Sequence, residues 1–277
     1  LGAGRSTTVP LRDGGIPSTL AATDGNVQGP PAAEPRPVTR RLPAAMSYRF
    51  DPTLNLQENL RSVAREQTER AIRAVETIGD DPEASIHDLR KRMKKLRALL
   101  RLFRPGLGEV YRLENEAARD IARGFAAIRD AQVMAQTVEW LAGEAGPESE
   151  ATLTPLQDWA REQRAQALAD DLDDRTAVAR ASLTKLHDRV ADWRVEEVWH
   201  ALEGGLAKSY TRGRKGLAKA QAGAAPDELH DWRKRLKYHR YHCRLLRDAW
   251  PGEFGAREDL AHRLTDALGE DHDLQVL

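Results

Sequence analysis

Between Ile86 and Arg104 the chain sets a histidine and five cations at alternating spacings of three and four: His87, Arg90, Lys94, Arg97, Arg101 and Arg104. A second set, His230, Arg233, Lys237, Arg240, Arg244 and Arg247, has the same residue types at the same spacings. At ~100° and ~1.5 Å per helical residue, each set projects from one side of a helix as a ridge about 26 Å long. Neither ridge contains an acid. Helix faces that meet only water usually interleave the two signs, because an i,i+4 pair stabilises by ~0.2–0.5 kcal/mol and like charges cost about as much. Long basic side chains can also cover a hydrophobic seam with their stems. That explains lysine and arginine as types, but neither the missing acids nor the duplication. The chemistry that suits both is binding of an extended anion, with arginine forks and lysine point charges on phosphate oxygens.

A neighbouring stretch, KSYTRGRKGLAK, carries Lys208, Arg212, Arg214, Lys215 and Lys219 and again no acid. Arg212, Arg214 and Lys215 are therefore candidates for a third side of the same anion site, with an exposed helix end as the alternative. His87 and His230 fall in the first turns of their helices, where the helix dipole disfavours imidazolium. They are expected to be neutral donors until an anion arrives. His239 and His242 stand three apart, but with no HExxH, no second cysteine and no arranged carboxylates, no metal site is expected. His187, His200, His262 and His272 read as structural. Asp130 in IRDAQVM and Asp273 in DHDLQVL read as helix caps or arginine partners. No nucleophile with a base, phosphate-cradling glycine loop or acid–base carboxylate pair stands out, so the expectation is a non-enzyme without a cofactor.

These side chains need helices to hold them, and the pattern beyond Asp51 is helical throughout. The spacing of apolar residues, with Gly and Pro as punctuation, predicts helices over 54–78, 82–104, 108–128, 130–142, 149–172, 174–190, 195–220, 226–249 and 253–268. Pro82 and Pro226 suit first helical positions; Pro105 and Pro251 fall where a helix must stop. Beside the first ridge runs a seam of Ile86, Leu89, Met93, Leu96, Leu100 and Phe103. Beside the second runs Leu229, Trp232, Leu236, His239, Cys243 and Leu246. Residues 1–45 differ in kind: they hold seven of the fourteen prolines, six of the twenty glycines and no aromatic residue. Such a segment is expected to be disordered.

Formal net charge is zero, from 43 basic and 43 acidic residues, but the signs are segregated. Pro82–Arg104 holds eight basic and two acidic residues, Pro105–Gly204 eleven and twenty, and Gly205–Arg247 twelve and three. Local fields can thus be strong although the protein is not globally basic. The one cysteine, Cys243, permits no internal disulfide and reads as an inert core thiol. No apolar run approaches the ~18 residues of a membrane span, and no signal-peptide core is evident, so the expected location is the cytoplasm.

A shift of 143 residues carries His87-Asp88 onto His230-Asp231, Arg90-Lys91-Arg92 onto Arg233-Lys234-Arg235, Lys94 onto Lys237, and Asp130 onto Asp273. Two copies of one helical unit explain this, about 50–190 and about 195–277, the second ending before the first copy's last helices. A histidine followed by R-K-x-x-K-x-x-R, written H-D-L-R-K-R-M-K-K-L-R and H-D-W-R-K-R-L-K-Y-H-R, each with a downstream Asp, resembles the CHAD family, the conserved-histidine α-helical domain. The resemblance covers residues 46–277. It implies an all-α helical bundle of two pseudo-symmetric repeats around a basic central pore that binds inorganic polyphosphate, with association to polyphosphate granules. It carries over to His87, Arg90, Lys91, Lys94, Arg97, His230, Arg233, Lys234, Lys237 and Arg240; Arg101 and Arg244 extend the ridges. The E-x-E-x-K strand of the triphosphate-tunnel domain that accompanies some members has no counterpart here, so catalysis is not carried over. The alternative is an RNA- or DNA-binding helical protein using the same ridges. Bases would favour aromatic platforms along the groove, which the first ridge lacks.

Overall fold

A computed structural model describes residues 48–145 and 149–275. The predicted disorder of residues 1–45 and the last two residues of the DLQVL motif lie outside the described residues. Within them the chain is all-α: α1 Leu56–Glu76, α2 Pro82–Leu102, α3 Arg104–Gly124, α4 Ala126–Ala145, α5 Glu150–Ala169, α6 Leu172–Arg189, α7 Val198–Gln221, α8 Pro226–Leu245 and α9 Pro251–Gln275. A 3-10 turn, Val190–Asp192, follows α6.

Local chemistry sets the starts. Asn55 and Glu58 satisfy each other's backbone N–H at 2.9 Å in both directions, a capping box that opens α1. Asp81 accepts from the Ala84 N–H at 3.0 Å, and Pro82 gives α2 its preset first φ. Several boundaries differ from those expected, by up to seven residues, among them α3, which starts at Arg104 rather than 108, and α8, which ends at Leu245 rather than 249. The α3–α4 break falls at Phe125 rather than near Arg129, because Phe125 turns into the core while Arg175 donates to the Gly124 carbonyl at 2.8 Å. Helix α9 runs through Gly269 instead of ending before it, and Gly269 is buried there against the Arg233 guanidinium.

The core is built on α2. All six predicted seam residues, Ile86, Leu89, Met93, Leu96, Leu100 and Phe103, are fully buried. Such side chains contribute ~1.5–3 kcal/mol each on burial. They meet Leu60, Val63 and Ala71 of α1 and Leu183 and Leu186 of α6 in one cluster. The seam of α8 is shifted from the prediction. Trp232, Cys243 and Leu246 are buried as expected, but His242 and Leu245 are buried too, while Leu229, Leu236 and His239 are only partly covered. The reason is that α8 packs on α2 as well as on α7 and α9. Ala135, Val138 and Ala160 form a separate small cluster between α4 and α5.

The segment before α1 straps α2 to α8. The Tyr48 hydroxyl donates to the Lys95 carbonyl at 2.6 Å, its ring meets Tyr241 edge-on at 5.8 Å, and the Phe50 N–H donates to the Leu245 carbonyl at 2.9 Å. Helix α7 crosses the end of α2 so closely that a Cβ at Gly205 would overlap the Leu102 carbonyl. The three basic helices α2, α7 and α8 are thereby brought together.

Candidate polyanion site

Arg90 and Arg233 are each tied to main chain 32 residues onward. Arg90 Nη1 donates to the Ala122 carbonyl at 2.6 Å, and Arg233 Nε to the Thr265 carbonyl at 3.1 Å. Both donors and both acceptors are related by the 143-residue shift. One turn on, Lys94 and Lys237 both lie in the field of Arg233, and Lys237 also in that of Lys94. Burial first, then Arg90 and Arg233, pulls the Lys94 ammonium down to about 8. Burial, then Arg233 and Lys94, pulls Lys237 down to about 7. The Lys94 side chain is nonetheless open to solvent. That exposure leaves the ammonium accessible to an incoming anion.

His87 and His230 occupy the head of this cluster, with pKa values lowered by burial first. Arg129, Lys91 and Lys94 add to the effect at His87; His272, Lys234 and Arg233 add to it at His230. Arg129 and His272 are again related by the shift, and the His272 ring lies 4.0 Å from that of His230. Lys91 and Lys234 turn aside. Lys91 pairs with Asp88 at 2.6 Å and Lys234 with Asp231 at 3.1 Å, each within its own helix.

Toward the other end of α2 a second cluster forms. Arg101 Nη1 donates to Asn115 Oδ1 at 2.7 Å, Arg97 Nε donates to the same oxygen at 3.2 Å, and the Arg101 guanidinium lies 4.2 Å over the Tyr238 ring. Arg104, Lys208, Arg212 and Arg235 line a cleft with Arg101 and Tyr238. Arg212 is thus brought to the site. Arg214, ~200° further round α7, projects from the opposite side, and both it and Lys215 are exposed. Arg235 was not among the predicted residues. Its shift partner Arg92 is held by Asp88, whereas in the second helix Lys234 takes Asp231. That difference was readable only with the partners placed.

Carboxylates reach the second ridge from a helix the ridge itself does not contain. Glu258 of α9, nearly buried, stands 3.2 Å from Arg247 and 3.7 Å from Arg244. Its shift partner is Asn115, a neutral amide, so the first ridge keeps charge that the second partly loses. Arg240 of the same ridge is half-buried. Asp130 and Asp273 lie inside α4 and α9 rather than at caps, and act as distant opposite charges, Asp130 on Arg90 and Lys94, Asp273 on Lys237. Cys243 is fully buried, its thiol pushed up to about 12. Among the described residues no group of three His, Cys, Asp or Glu could hold a metal ion, and no helix is long and apolar enough to cross a membrane.

The fold, all-helical among the described residues, gathers cations from α2, α3, α7 and α8 around this cleft. A family model, the CHAD domain, matches residues 55–277, and the chain belongs to that family. No curated protein matches the chain.

Proposed function

We propose that the chain binds inorganic polyphosphate without turning it over, its two basic ridges being opposite walls of one pore between pseudo-symmetric halves. The observation that carries this reading is the crowding of like charge across α2 and α8, where Arg233 acts on both Lys94 and Lys237 and Lys94 acts on Lys237. Like charges drawn together inside a fold raise its free energy until an anion offsets them. Polyphosphate brings a charge on every phosphate and no bases to stack. The paired hydrogen bonds of Arg90 and Arg233, and the matched neighbours of His87 and His230, support two halves of one design. The Arg101 guanidinium covering Tyr238 favours a base-free anion over single-stranded RNA or DNA, which would need that ring for stacking. Recruitment to polyphosphate granules would follow from binding alone.

The test is titration of long-chain polyphosphate against the protein and against its Lys94→Gln/Lys237→Gln variant, at low and physiological salt. Expected are a steep loss of affinity with salt, from counterion release, and a large loss in the variant with helicity unchanged. Equal affinity in the variant moves the site elsewhere. Displacement of polyphosphate by single-stranded RNA at equal charge makes nucleic acid the ligand.

A further inference from the structure

Where α2 ends, five cations share one small cleft: Arg101 of α2, Arg104 at the start of α3, Lys208 and Arg212 of α7, and Arg235 of α8. None of the five forms an ion pair among the described residues, and Arg101 donates only to neutral partners, Asn115 and the Arg97 carbonyl. The cleft is blind. Helix α7 passes too close to the end of α2 for a Cβ at Gly205, and the fully buried His242, fastened to the Ala98 carbonyl, closes the inner side. On the wall the Ser209 hydroxyl is buried with no hydrogen-bond partner. The cavity measures about 30 Å³, room for about two waters and so on the scale of one phosphate group rather than a run of them.

Duplication does not account for this cleft. At the positions related by the 143-residue shift, Glu69 stands for Arg212 and Glu66 for Ser209. Arg92, for Arg235, is held by Asp88 at 2.9 Å, and Arg247, for Arg104, by Glu258 at 3.2 Å. Arg65 and Glu69 are exposed, as their counterparts Lys208 and Arg212 are, so this side is open in both halves and only its charge differs. An internal phosphate of a chain carries about one charge and two free oxygens, whereas a terminal phosphate carries about −1.5 to −2 at neutral pH and offers three. Unpaired guanidiniums and an ammonium around room for a single phosphate suit the terminal group, and a blind cleft cannot pass a chain onward. We infer that this cleft seats the terminal phosphate of a polyphosphate chain, so that the protein recognises chain ends as well as charge along the contour. The inference rests on polyphosphate being the ligand.

The experiment titrates the whole protein with a short polyphosphate of one defined length and free ends. A second titration uses chains capped at both ends as amides and longer by two phosphates, so that total charge is equal. Calorimetry should show the free-ended chain binding about tenfold more tightly, the worth of one charge-assisted hydrogen bond. Arg212→Gln/Arg235→Gln should bring the two affinities together, whereas Lys94→Gln/Lys237→Gln should weaken both and preserve their ratio. Equal affinities in the unaltered protein, or a preference that survives Arg212→Gln/Arg235→Gln, overturn the inference and leave polyphosphate binding standing. Pyrophosphate binding as tightly as the free-ended chain also overturns it, making a small phosphate the occupant. Binding of neither chain removes polyphosphate as the ligand, and the inference with it.

Discussion

His242 Nε2 donates to the Ala98 carbonyl oxygen at 2.8 Å, so a fully buried imidazole of α8 is fastened to the main chain of α2. It sets the register in which Lys237 enters the field of Lys94 and Tyr238 lies beneath Arg101.

Burial holds the His242 pKa down to about 3, far below its ordinary value. The unfolded chain therefore binds a proton at a pH where the folded one does not. Stability that is full above the unfolded value of ~6.5 should fall as pH drops toward the folded value. His242→Leu should lose one hydrogen bond of ~0.5–1.5 kcal/mol at neutral pH and should also lose this part of the acid sensitivity. Urea midpoints at neutral and mildly acidic pH, compared between the two proteins, check both.

Lys94 and Lys237 titrate at about 8 and about 7 in the folded protein, below the ~10.4 of a free lysine. The folded state thus binds fewer protons than the unfolded one across that window, and stability of the free protein should rise with pH through it. A bound polyanion favours the charged ammoniums, so binding should take up protons and weaken as pH rises from 7 to 9. Calorimetric titration in buffers of different ionisation enthalpy reads that uptake directly, and Lys94→Gln/Lys237→Gln should abolish most of it.

Glu258 and Asn115 occupy matching places beneath the two ridges. Glu258→Gln should strengthen polyphosphate binding by releasing Arg247, and Asn115→Asp should weaken it by engaging Arg97 and Arg101. The dependence of log affinity on log salt should steepen in the first variant and flatten in the second. Each arginine released to a phosphate, or withdrawn from one, should change that slope by about one.

Arg212 lines the cleft and Arg214 does not. Arg212→Gln should reduce the salt slope by about one, whereas Arg214→Gln should leave polyphosphate binding unchanged. Paired titrations at several salt concentrations separate the two.

Gly205 has no room for a side chain, with the Leu102 carbonyl where a Cβ would lie. Gly205→Ala should force α7 off the end of α2 and destabilise by on the order of 3 kcal/mol. A lower urea midpoint with unchanged slope is the expected signature.

Periodicity was enough to determine the helices, the α2 seam and the doubled ridge, because spacing along a helix decides which side chains share a face whatever lies opposite. The 143-residue shift was likewise enough to pair Arg90 with Arg233 and Lys94 with Lys237. What the linear order could not contain is which acids and carbonyls arrive from other helices. Asn115 and Glu258 belong to α3 and α9, outside the helices whose ridges they touch. His242 looks on a helical wheel like one more polar position, until α2 covers it. Arg214 and Arg212 differ by two places in a run of cations, yet only one faces the cleft, since α7's approach to α2 sets its rotation. Charge at a site is a sum over neighbours in space, and those neighbours exist only once the helices have packed.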